Sequence, residues 1–139
     1  MSRQLEILMV EDNPGDVWLA FEALQLGHEP CKLYAVRDGN QALAFLRREG
    51  QYVHAPCPHL ILLDLSLPRR SGHEVLAEIR AMEEFADMPI VILTTSAAES
   101  DIRRAYELQA NDYLTKPTDL ELLFDTVRSI KQWARLPNE

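Results

Sequence analysis

The sequence predicts an α/β fold, a doubly wound sheet of five parallel strands with helices on both faces. Two observations carry this. Five short strand-like segments alternate with five longer segments whose apolar residues recur at helical spacing, over a chain of 139 residues. Strands that alternate with helices pair in parallel and need cover on both faces, and right-handed crossovers then wind the chain outward in two directions. No repeat, low-complexity tract or Gly/Ser linker breaks the pattern. Residues 1–139 are therefore read as one domain with a core from about residue 5 to residue 130.

Leu5 to Val10 is the first strand. Val17, Ala20, Phe21 and Leu24 follow at helical spacing, and Gly27 is the expected helix stop. Cys31 to Val36 is the second strand. Asp38-Gly39 would suit a hairpin turn, but Ala42, Leu43, Phe45 and Leu46 come next. Asp38 is therefore read as the N-cap of a helix from about Asn40 to Arg48. Gly50 to His59 is a polar, proline-containing loop, and Leu60 to Leu63 is an apolar run ending at Asp64. A helix starting near Gly72 carries Val75, Ile79 and Met82 on one face, and Pro89 to Leu93 is the fourth strand. Ser96-Ala-Ala-Glu99 and Thr118-Asp-Leu-Glu121 both read as capping boxes that open helices. Asp112 to Thr115 is the strand between them. The last helix places Leu120, Leu123, Val127, Ile130 and Ala134 on one stripe.

Composition narrows the function. A formal net charge of −8 repels duplex nucleic acid and anionic membranes, so neither is an expected partner. The two cysteines, Cys31 and Cys57, form no C-x-x-C pattern, which fits a reducing compartment. No signal peptide and no apolar run approaching the roughly 20 residues of a membrane span are evident, so a cytoplasmic protein is expected.

In doubly wound sheets ligands bind beyond the carboxyl ends of the strands, where the strand order reverses. The first strand ends in Glu11-Asp12, the third in Asp64 and the fourth in Thr94-Thr95-Ser96, and Lys116-Pro117 follows the fifth. Clustered carboxylates repel one another and push a pKa upward. A hard divalent cation removes that conflict; Mg²⁺ is expected, with Mn²⁺ or Ca²⁺ able to replace it in a crystal. Asp64 is then placed to attack a phosphoryl group as a carboxylate nucleophile. Lys116 and the cation would neutralise the transferring oxygens, and Thr94 would donate a hydroxyl hydrogen bond to one of them.

Val10-Glu11-Asp12-Asn13, Leu63-Asp64-Leu65-Ser66-Leu67-Pro68, Gly72, Thr94 and Lys116-Pro117, in this order and spacing, resemble the receiver domains of two-component response regulators. The resemblance spans Ile7 through Ile130 and implies a flavodoxin-like (βα)5 fold. It implies that Glu11 (mostly through water), Asp12, Asp64 and the main-chain carbonyl of Ser66 hold the metal, and that Asp64 is the phosphoacceptor. It further implies that Lys116 pairs with the phosphoryl group and is joined to Pro117 by a cis bond. Thr94 would move toward the phosphoryl oxygen, and Tyr113 would be the switch aromatic that turns into the space Thr94 leaves. The implied partner is a sensor histidine kinase, and the only implied catalysis is the domain's own phosphorylation and slow dephosphorylation. The long Gly50 to His59 loop, Thr94-Thr95-Ser96 and Leu136-Pro137-Asn138-Glu139 also resemble the stand-alone receivers that accompany bacterial phytochrome kinases. Members of that subgroup pair through an extended C-terminal helix or arm.

Leu122, Trp133 and Leu136 form a second stripe on the last helix, rotated from the core stripe. A helix apolar on two faces packs against something beyond its own core. That stripe is read as a homodimer interface, with residues 118–139 as the arm; the alternative is an intramolecular contact with the Gly50 loop. His54, Cys57 and His59 fit no zinc spacing. His28 and His73 read as surface residues, and Arg69-Arg70 as a solvated pair.

Other functions share this architecture. A receiver-like binding module that never uses its phosphorylation site usually lacks a key residue, and none is missing here. A Mg²⁺-dependent phosphohydrolase using Asp64 would carry an acid two residues later, where this chain has Ser66. A flavin site would need a Ser/Thr/Gly-rich phosphate loop after the first strand.

Overall fold

The computed structural model describes residues 4–26 and 30–134. Strands β1 (Leu5–Val10), β2 (Cys31–Val36), β3 (Leu60–Leu63), β4 (Ile90–Thr94) and β5 (Asp112–Thr115) form one parallel sheet in the order β2-β1-β3-β4-β5. The expected doubly wound layout is therefore present. The order reverses at β1, which opens a crevice between the carboxyl ends of β1 and β3. Helices α1 (Pro14–Gln25), α2 (Gly39–Arg47), α3 (Gly72–Ala81), α4 (Glu99–Glu107) and α5 (Leu120–Ser129) cover the sheet, with 3₁₀ turns at Gly50–Tyr52, Glu83–Phe85 and Ile130–Trp133.

Alternate strand residues face opposite sides. Leu8, Val10, Ile61, Leu63 and Ile92 pack with Phe45, Val75, Leu76 and Ile79 of α2 and α3. Ile7, Met9, Leu60, Leu62 and Val91 pack with Ala20, Ala23 and Leu24 of α1 and with Leu123 and Val127 of α5. Each large side chain so buried contributes about 1.5–3 kcal/mol, so the strand ends rest on a densely packed base.

Helix starts follow from side-chain caps. Asn13 accepts from the Gly15 and Asp16 N–H groups, Asp38 from Gln41 and Ser71 from Glu74. Neither expected capping box forms. Asp119 caps α5 in place of Thr118, accepting from the Glu121 and Leu122 N–H groups; a carboxylate caps better than a threonine hydroxyl. Ser96 instead donates to Asp101 Oδ2 at 2.6 Å, and the N-cap position of α4 falls on Ala98, without a side-chain cap.

Other expectations are corrected. Phe21 is 45% exposed and Leu120 64% exposed, so neither joins the core. On α1 the small Ala20 and Ala23 face the sheet, which turns Phe21 outward, and Leu120 precedes the first core residue of α5, Leu123. Met82 lies at the C-cap of α3 rather than within it, half-buried. His73 is buried, its Nε2 3.0 Å from the Asp101 carbonyl oxygen, which ties the start of α3 to α4. The bond before Pro117 is trans, like every peptide bond among the described residues; trans is the intrinsically favoured isomer. Arg70 is not merely solvated, because it pairs with Glu78 and donates to Asn40 Oδ1 at 3.2 Å. Tyr52 of the Gly50 loop packs on the α2 side of the sheet, its ring tilted against Phe45 (centroids 5.4 Å apart) and Phe45 against Tyr34 (5.5 Å), while His59 at the end of the loop lines one cavity with Trp133. Gly27, His28 and Leu136 lie outside the described residues.

Two fixtures tie helices to the sheet. At its amino end, Arg80 donates to the Gln109 carbonyl (2.9 and 3.1 Å), the Phe85 carbonyl (2.8 Å) and Asn111 Oδ1 (2.9 Å). Asn111 Oδ1 also accepts from the Ile90 N–H at 2.8 Å. At the carboxyl end, Gly72 donates its N–H to the Leu65 carbonyl at 3.0 Å. A Cβ on Gly72 would strike the Asp64 carbonyl oxygen and lie 2.7 Å from Leu65 Cα. Main chain cannot step aside as a flexible side chain can. Gly72→Ala is expected to cost about 1–3 kcal/mol, read as a lower urea midpoint with unchanged slope.

Candidate functional site

The main chain sets the site first. One residue past β1, the Glu11 N–H donates to the Val36 carbonyl at 3.0 Å. One residue past β3, the Asp64 N–H donates to the Val10 carbonyl at 3.1 Å, and past β5 the Lys116 N–H donates to the Thr94 carbonyl at 2.7 Å. The sheet ladder thus continues through the residues that carry the chemistry. Their side chains need no loop to bring them together.

Lys116 Nζ lies among three carboxylates: 2.5 Å from Glu11 Oε1, 2.8 Å from Asp16 Oδ2 and 3.2 Å from Asp64 Oδ2. The Lys116, Glu11 and Asp64 side chains are almost wholly buried. Asp16 was not anticipated. An acid in the first turn of a helix reads as a partner for the helix dipole, and only the direction α1 takes over the sheet edge carries it to Lys116.

Glu11, Asp12 and Asp64 each bring a carboxylate oxygen within 4.8 Å of the others. Adding Asp16, four carboxylates face one ammonium, an excess of three negative charges when all are ionised. Burial, reinforced by the charge of Asp64, pushes the Glu11 carboxyl up to about 7. Burial also raises Asp64, but the Ser66 N–H, donated to Oδ1 at 3.1 Å, and the Lys116 charge outweigh it and leave Asp64 below its ordinary value. Burial alone would lower Lys116; its hydrogen bonds to Asp16 and Glu11 and the charge of Asp64 carry it upward instead. An all-oxygen, negatively charged, partly buried donor set of this kind suits a hard divalent cation, so the trio fits the expected metal.

Thr94 is fully buried and its Oγ1 makes no hydrogen bond. A buried hydroxyl without a partner is costly, and it is the group expected to meet a phosphoryl oxygen. Tyr113 is held on the β4–α4 loop, its hydroxyl donating to the Ser96 carbonyl at 2.8 Å while its ring borders the α2/α3 core. Ser66 is exposed at the rim.

The proposed pairing stripe is not continuous. Leu122 is 57% exposed, but Trp133 packs partly into its own core and donates Nε1–H to Asp112 Oδ2 at 3.2 Å. Asp112 also accepts from the Tyr106 hydroxyl, so it ties β5, α4 and the turn after α5 together. His59 is used within the chain, its Nδ1 accepting the Glu6 N–H at 2.9 Å. No helix among the described residues is long and apolar enough to cross a membrane.

A doubly wound (βα)5 sheet with an acidic trio and a lysine at its carboxyl edge defines the response regulator receiver class. Residues 7–128 match the family model for the response regulator receiver domain, and the chain belongs to that family. It is 45% identical over 127 residues to the response regulator Rcp1 of Synechocystis sp., an alignment spanning 91% of this chain and 86% of that protein. The Mn²⁺-bound form of Rcp1 superposes with a TM-score of 0.87 at 44% identity, covering 92% of each chain. The phosphorylated cyanobacterial phytochrome response regulator RcpA superposes with a TM-score of 0.91 at 44% identity, covering 98% of this chain and all of that one.

Because the Thr94 hydroxyl is buried without a partner, Thr94→Val exchanges an unsatisfied polar atom for a methyl group of the same shape. The unphosphorylated protein is expected to gain about 1 kcal/mol, seen as a raised urea midpoint. An unchanged or lower midpoint would show that the hydroxyl is already satisfied.

Proposed function

We propose that this receiver domain takes a phosphoryl group from a histidine kinase onto Asp64, with Mg²⁺ as the working cation, and thereby switches its protein contacts. The observation that carries this is Lys116, buried between Glu11 and Asp64 at the edge where β1 and β3 diverge. An Asp64 Oδ attacks the phosphorus of a phosphohistidine; the P–O bond forms as the P–N bond breaks, and the imidazole leaves. Asp64 is suited to this because its pKa is held down, which keeps it an anion. Lys116 places a fixed positive charge beside the nucleophile and never has to gain or lose a proton. Glu11, Asp12, Asp64 and the Ser66 carbonyl would hold the cation, which supplies charge neutralisation at the phosphoryl oxygens when bound. Thr94 would give its unused hydroxyl to the product. Tyr113 would then leave the Ser96 carbonyl and turn toward the space Thr94 vacates, changing the surface around α4 and β5.

The likeness to RcpA supports a phytochrome-type sensor kinase as donor, and the Mn²⁺-bound relative supports a divalent cation in the acidic trio. The exposed Leu122 supports pairing of two copies through α5, with Trp133 buttressing from within.

Two measurements test this. Incubation with phosphoramidate and Mg²⁺ should add one phosphoryl group by intact mass; the gain should vanish in Asp64→Asn and on chelation, and return when Mg²⁺ is restored. Labelling of Asp64→Asn at an equal rate would end the proposal. For pairing, Leu122→Glu is expected to lower the sedimentation mass from dimer to monomer while Asp64 labelling persists, and a wild-type monomer well above micromolar concentration would refute it.

A further inference from the structure

The structure assigns to Asp16 a task that the acidic trio does not perform: we propose that it is the positioning residue that holds Lys116 against the site once a cation and a phosphoryl group claim the lysine's other partners. This rests on Asp64 being the phosphoacceptor. Lys116 Nζ has three protons, and its three acceptors are Glu11 Oε1, Asp16 Oδ2 and Asp64 Oδ2. Glu11 and Asp64 also belong to the trio whose oxygens cluster for a metal, and Asp16 does not. A cation in that trio draws on the oxygens of Glu11 and Asp64. Esterification of Asp64 then removes a charge that had attracted the lysine. Asp16 is the partner that neither event touches.

The carboxylate is built to stay where it is. Asp16 donates its main-chain N–H to the Asn13 Oδ1 cap at 3.2 Å, and α1 is seated on the sheet through Ala20, Ala23 and Leu24. Its side chain keeps 26% of its surface in water, whereas Lys116 keeps 7%. Lysine is a point charge on a flexible stem and cannot hold an angle by itself. A fixed anion at 2.8 Å confines the ammonium to a position from which it also reaches Asp64 Oδ2, at 3.2 Å. Misplacing a reacting group by about 1 Å can cost on the order of 10²-fold in rate.

The test uses the intact chain with phosphoramidate at saturating Mg²⁺. Asp16→Ala is expected to be labelled at Asp64 about tenfold more slowly, a fraction of that full misplacement penalty. Mg²⁺ affinity by calorimetry should change little, and Asp16→Glu should restore most of the rate; Asp16→Asn replaces Asp16→Ala if the alanine variant does not fold. A second readout is the Lys116 ammonium ¹H–¹⁵N correlation with Mg²⁺ and beryllofluoride. It should be sharp in the wild type and lost to solvent exchange without Asp16. Labelling of the variant at the wild-type rate, or a retained ammonium signal, overturns the assignment. If the wild type itself is not labelled, the phosphoacceptor reading fails, and the ammonium signal with Mg²⁺ alone still decides whether Asp16 fixes the lysine.

Discussion

One buried ammonium organises the site. Without Lys116, Glu11 and Asp64 would face each other as like charges in a crevice nearly closed to water, and one would have to take up a proton. With it, the Asp64 carboxyl is held below its ordinary value, while burial still carries the Glu11 carboxyl up to about 7. The cluster is a poor stabilising device, because desolvating four ions offsets much of their attraction. Its worth lies in keeping one carboxylate reactive and leaving an oxygen-rich gap for a cation. Three strands, each extended one residue past its end by a main-chain hydrogen bond, set the spacing.

The fold and the trio were legible because they rest on local rules. Apolar runs marked the strands, and a run such as Leu60–Leu63 ending in an acid has few structural explanations. Asp38 could be recognised as a cap from the helical spacing that follows it. The misreadings have a common physical origin, since they needed partners distant in sequence. Ser96 had a nearby Glu99 to suggest a capping box, but Asp101 took its hydroxyl. His73 looked like surface on its own helix until α4 covered it. Phe21 and Leu120 kept helical spacing, and how α1 and α5 sit on the sheet left them outside the core. Asp16 was invisible for the converse reason: its place beside Lys116 depends on how α1 crosses the sheet edge.

Thr94 and Tyr113 connect the reactive edge to the surface. Thr94 has a buried hydroxyl with nothing to bond, and Tyr113 rests its ring against the α2/α3 core while its hydroxyl is tied to the Ser96 carbonyl. Ser96 is in turn bound to Asp101 in α4. Contacts therefore run from Tyr113 on β5 through Ser96 to α4. At the other end of the sheet, Arg80 and Asn111 hold the β4 and β5 entrances to α3, so the two ends of the same helical layer are secured very differently.

The absent side chain at position 72 has a mechanical meaning. Helix α3 begins in direct contact with the main chain of Asp64, with no intervening side chain to act as a cushion. Farther along, Val75 of the same helix presses on Gly39, at the start of α2. Any displacement of the Asp64 backbone is passed on to α3, and through it to α2, without slack. Two glycines thus leave the end of β3 and two helices in contact without intervening side chains at these points.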